Sequence, residues 1–121
     1  MKRLAFAIAV LGLLAAPAAA RAEDAHHAEV AATQKLTGEV VDVVCYLSHD
    51  GQGSGHAGCA KKCIESGLPV AIKVGDQLYL ASMGHDPANK SLADKAGQQV
   101  TVEGQVYEKD GQKLITISKI D

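Results

Sequence analysis

The chain has 121 residues, 12 basic and 14 acidic side chains, a net charge of −2, three tyrosines, no tryptophan and three cysteines. That length allows one small domain. The negative balance and the scarcity of aromatic rings exclude a phosphate-backbone binder, which needs a basic face with stacking platforms.

The chain opens Met1, Lys2, Arg3, continues without a charge from Leu4 to Leu14, and reaches Ala18-Ala19-Ala20. A basic start, a short apolar run and an Ala-x-Ala end predict a secretory signal peptide over residues 1–22. The run is too short and too rich in alanine for a stable membrane span, which takes about 20 apolar residues. Cleavage after Ala20 or Ala22 leaves a periplasmic or secreted domain. Losing Lys2, Arg3 and Arg21 leaves 9 basic and 14 acidic residues, a charge of −5. Free thiols are unusual in an oxidising compartment. An odd cysteine count there points to a metal, a partner or a reactive thiol.

Residues 23–34 are polar and alanine-rich and read as a flexible arm, with His26 and His27 solvated. The domain proper is expected over 35–121. Leu36 to Leu47 is dense in valine and reads as the first strand, with Cys45 near its end on an apolar face. Gly38 marks a bend or bulge in it. Ser48 to Gly55 reads as a glycine-rich loop. Ser54 is the expected N-cap of a short helix over 56–66, stopped by Gly67. On that helix His56, Cys59 and Cys63 share one face.

Leu68–Val74 and Gln77–Met83 read as two strands joined by a tight turn at Gly75-Asp76. A helix is expected over Pro87–Ala96, with Pro87 in its first turn and Gly97 ending it. Gln98–Glu108 alternates Val100, Val102, Gly104, Val106 and reads as a half-buried strand. Asp110-Gly111 predicts a hairpin into a last strand over Lys113–Ile120.

Five strands with a helix between the third and fourth predict a mainly β domain, the five-stranded Greek-key barrel called the OB-fold. A Cys-bearing helix is inserted between its strands 1 and 2, where this fold usually faces a ligand. In strand order, and in the phrases T-G-E-V-V-D (37–42) and V-T-V-E-G-Q-V-Y (100–107), the chain resembles small exported bacterial OB-fold proteins of largely unassigned function. Cys59-x-x-x-Cys63 is similar to the pair with which Sco-type copper chaperones hold copper together with a distant histidine. Only those two cysteines carry over, because the thioredoxin-like scaffold of that family is absent.

The three cysteines fall within 45–63, beside His49 and His56. A Cys59–Cys63 disulfide is poorly placed, because helix positions four apart hold Cβ atoms about 5–6 Å apart and a disulfide needs about 3.5–4.5 Å. Cys45 can pair with either one, at the cost of an odd thiol. A metal tolerates the wider spacing. Sulfur-rich donors suit Cu⁺ or Zn²⁺. The expected site is therefore Cys45, Cys59, Cys63 and His56, with His49 competing for the fourth place. The expected function is metal trafficking or sequestration without enzymatic turnover, with a protein partner for metal transfer. The alternative is a thiol redox or disulfide-stabilised module holding no metal. Cys59 beside His56 has the makings of an activated thiol, but no Cys-x-x-Cys motif accompanies it.

Overall fold

The computed structural model describes residues 32–121. The expected signal peptide over 1–22 and most of the expected arm over 23–34 lie outside the described residues. The first strand, β1 (Thr33–Asp42), already includes the last two residues given to that arm. It is followed by α1 (Val43–His49), α2 (Ala57–Glu65), β2 (Val70–Val74), β3 (Gln77–Met83), a two-residue β4 (Asp86–Pro87), α3 (Asn89–Leu92), β5 (Gln99–Lys109) and β6 (Gln112–Ile120).

The five long strands close into a ring in the order β1-β2-β3-β6-β5 and back to β1. β1 makes the closure by pairing with two partners. Its first part, Thr33–Glu39, lies antiparallel to β5, and its end, Glu39–Asp42, lies antiparallel to β2. β3 and β6 run parallel, and the other neighbours in the ring are antiparallel. This is the OB-fold-like barrel expected from the strand order. Gly38 stands where β1 passes from one partner to the other. A Cβ there would lie 2.4 Å from the Lys73 carbonyl oxygen, so only glycine permits that close crossing.

Both hairpin turns form as expected. Val74 pairs with Gln77 around Gly75-Asp76. Asp110 and Gly111 both take positive φ, at 53° and 80°, as a turn matched to strand twist requires. The alternation in β5 buries Val100, Val102 and Gly104. The core joins these to Val40, Val70, Ile72, Ile115 and Ile117 from the other strands. Each buried Val or Ile contributes about 1.5–3 kcal/mol of transfer free energy. Ala60 and Ile64 of α2 pack on the same core, and Leu92, Ala93 and Ala96 close it from the segment between β4 and β5.

That segment differs from the expected helix over Pro87–Ala96. Pro87 lies in β4, paired with Ser82, and the helical residues are split into α3 and a 3-10 turn over Ala93–Lys95. Asn89 explains part of the break. Its side chain donates to the carbonyls of Ile64, at 2.7 Å, and Leu68, at 2.8 Å, and latches the start of α3 to the end of α2 and the loop that follows it.

A second departure decides the geometry of the site. The strand expected to run to Leu47 stops at Asp42, and Cys45 lies inside α1 instead. The cause is Asp42, which is fully buried. Its Oδ1 accepts the backbone N–H of Val44 at 2.6 Å and of Cys45 at 3.1 Å. This N-cap satisfies two donors at the helix start and outweighs the strand preference of Val43 and Val44. Asp50, at φ 56°, ends α1 and returns its N–H to the Tyr46 carbonyl.

Candidate metal centre

α1 and α2 both pack against β1, and each brings cysteine to the same place. The cap at Asp42 aims Cys45 inward, leaving it only 8% exposed. α2 presents Cys63 half-buried and Cys59 exposed, one helical turn apart. The expected Ser54 cap does not form. Ser54 sits in a turn held by His56 N–H on the Gly53 carbonyl, and α2 begins only at Ala57, with His56 at its N-cap position making no side-chain cap bond. Spared that role, the His56 ring turns into the site.

The Cys45 and Cys63 sulfurs lie 4.0 Å apart. With Cys59 they form a group whose three sulfurs all lie within 4.8 Å of one another. All three are free thiols. Cys45 belongs equally to a second group, with one ring nitrogen each from His49 and His56, inside the same limit. The two imidazoles meet edge to face, with centroids 5.4 Å apart. His56 Nε2 is buried and has no hydrogen-bond partner among the described residues. Gly51 makes room for this packing. A Cβ there would lie 2.7 Å from His56 Nε2 and 3.0 Å from Cys45 Cβ.

The electrostatics keep the metal-free Cys45 and Cys63 thiols protonated. Burial pushes Cys63 up to about 12, reinforced by its contacts with Cys45 and Asp42. Burial also pushes Cys45 up, with the neighbouring Asp42 and Cys59 adding to the shift and the contact with Cys63 opposing it. A thiolate here therefore needs a cation to balance it.

The structure thus brings together the four residues expected from the sequence, Cys45, His56, Cys59 and Cys63, but sorts them. The cysteines form one group, and His56 joins the other with His49. Asp42 was missed. Its signal was an N-cap residue eight positions ahead of the Asp50-Gly51 stop, hidden by two valines. A cleft of about 880 Å³ lies elsewhere, between the end of α2 and the β4–α3 segment, and includes none of the cysteines.

Comparison with protein-family models, curated proteins and solved structures finds no match. Each group, the three sulfurs or the one sulfur with two imidazoles, can hold a metal ion. Among the described residues no helix is long and apolar enough to cross a membrane.

Proposed function

We propose that the chain is a small exported metal-binding protein that holds a thiophilic ion, Cu⁺ or Zn²⁺, for trafficking or sequestration in the periplasm. The observation that carries this reading is the trio of free cysteines, Cys45, Cys59 and Cys63, drawn from two helices to within 4.8 Å of one another. With metal–sulfur bonds of about 2.3 Å, two thiolates on one ion stand about 3.8 Å apart in a tetrahedral shell and about 4.0 Å apart in a trigonal one. The separation of 4.0 Å between Cys45 and Cys63 already fits. Binding would then need little rearrangement and would stabilise the native state. Exposed Cys59 suits exchange of the ion with a partner's ligand. The signal-like start of the chain supports export.

Elemental analysis of the exported protein tests the reading. Wild type carries bound copper or zinc, and Cys59→Ser and Cys63→Ser each carry one ion fewer. Wild type that emerges metal-free, and takes up neither Cu⁺ nor Zn²⁺ after gentle reduction, sinks the proposal.

One observation favours a second reading. Sulfurs 4.0 Å apart need only a modest approach to form a Cys45–Cys63 disulfide of about 2.05 Å. Thiol counting separates the two. A disulfide leaves one reactive thiol that ignores chelators, whereas metal protects three thiols until a chelator is added.

A further inference from the structure

The trithiolate reading leaves the two histidines without a task, and they are better placed than chance neighbours. His49 follows Cys45 by one helical turn of α1, and His56 reaches the same sulfur from the start of α2. The His56 Nε2 atom is buried, unbonded among the described residues, and faces a space kept open by the missing Cβ of Gly51. A buried polar atom without a partner is unfavourable, so a ligand that satisfies it is favoured. His49 is oriented by a neighbour, since its Nδ1 lies 2.9 Å from Ser48 Oγ. That leaves the other ring nitrogen free to bind, the usual arrangement of a ligating imidazole whose second nitrogen is held by a hydrogen bond. This group shares Cys45, and no other residue, with the cysteine group. Each group joins the buried Cys45 to one half-buried and one exposed ligand, so each reaches solvent through its exposed member.

We propose that Cys45, His49 and His56 form a second metal position, distinct from the trithiolate and built for a borderline divalent ion of the Zn²⁺ or Co²⁺ kind. Two imidazoles and one thiolate are harder donors than three thiolates, so the two positions differ in the ions they favour. The soft trithiolate suits Cu⁺, and the nitrogen-rich group suits the divalent ion. Binding releases the Cys45 thiol proton to solvent and uses both imidazoles in their neutral form. The proposal rests on the metal reading above only in sharing Cys45.

The test uses the full chain with Cys59→Ser and Cys63→Ser combined, and Co²⁺ as the probe. The expected result is one Co²⁺ per chain, with a sulfur-to-cobalt charge-transfer absorption that Cys45 alone can supply. Adding His49→Ala or His56→Ala then weakens binding by more than about tenfold. No uptake by the folded double variant, or uptake that neither histidine affects, overturns the proposal. Because two serines near the core are able to disturb folding, wild type gives a second measurement. Saturating Zn²⁺ must shift the imidazole ¹⁵N resonances of both His49 and His56, and unmoved resonances overturn the proposal equally. In the reciprocal His49→Ala/His56→Ala chain, Cu⁺ uptake reports on the trithiolate alone. Its loss would remove that reading while the serine variant still judged the histidine position.

Discussion

The sulfurs of Cys45 and Cys63 lie 4.0 Å apart, although 18 positions separate the residues and each sits on a different helix. Two anchors hold them there. Asp42 turns the chain out of β1 and into α1, and Ile64, next to Cys63, is fully buried in the barrel core. The contact is thus fixed by the fold on both sides, with no covalent bond between the two thiols.

This contact has a consequence for the metal-free protein at high pH. Cys63 is raised to about 12 in the folded state, against an ordinary value of 9.0. Between those values the unfolded chain has lost the proton that the native state still holds, so native stability falls as pH rises. The contribution is fully present below about pH 9 and is lost through about pH 12. Cys45 is shifted in the same direction. Thermal melts of reduced, metal-free protein should show wild type losing more stability across this window than Cys63→Ser, which has no thiol to titrate there. Parallel curves would show that burial of Cys63 has no such effect.

Metal uptake should carry the opposite pH dependence. At neutral pH Cys45 and Cys63 hold their thiol protons, and each must leave before its sulfur can bind. Affinity therefore rises with pH, by about tenfold per unit for every thiol proton displaced. Calorimetry in buffers of different ionisation enthalpy counts the protons. Loading the trithiolate should release at least two, from Cys45 and Cys63, and Cys63→Ser should release fewer. A count near zero would mean that the sulfurs are not the ligands.

Asp42 should matter to both stability and site. Replacing it by alanine removes the acceptor for the Val44 and Cys45 N–H groups. The loss of such a cap costs about 0.5–2 kcal/mol. Asp42→Asn keeps an oxygen for the same two donors and should lose less. Denaturant melts order the three proteins, with wild type highest and alanine lowest. Metal affinity should fall in the same order, because the cap is what aims Cys45. Equal affinities in all three would show that α1 holds its course without the cap.

The strands that could be read from the sequence were those whose local signals agreed with one another. Gln77–Met83 is β3 to the residue, because a two-residue turn sets its start and a glycine follows its end. β5 was legible from the alternation that buries Val100 and Val102. The closed ring followed from strand order. α1 was hidden because Val43 and Val44 favour strand while the opposing vote came from one side chain, Asp42, whose weight depends on being buried against the barrel. A periodicity argument does not see burial. The cysteines and histidines stood out by type and spacing. Their division into two groups around Cys45 depends on how both helices are set against β1, which no local pattern encodes. The Ser54 cap failed for a similar reason, since glycines on both sides of Ser54 let the chain form a turn first and start the helix at Ala57.

Gly51 offers a substitution that separates site from fold. It is buried, and its φ is not in the left-handed region, so alanine fits its backbone. The added Cβ would meet His56 Nε2 at 2.7 Å, His56 Cδ2 at 2.9 Å and Cys45 Cβ at 3.0 Å. The first two contacts are with the far end of a side chain that can rotate away, whereas Cys45 is fixed by its helix. His56 should therefore leave the site and the barrel should survive. Overpacking of this kind costs about 1–3 kcal/mol where nothing yields, and less where a ring can swing. The expected outcome for Gly51→Ala is a small drop in melting temperature with a much larger loss of divalent-ion binding at the histidine group. Cu⁺ binding by the three cysteines should change less. Equal losses for both ions would place one undivided site at this end of the barrel, and an unchanged affinity for the divalent ion would mean that His56 is not among its ligands.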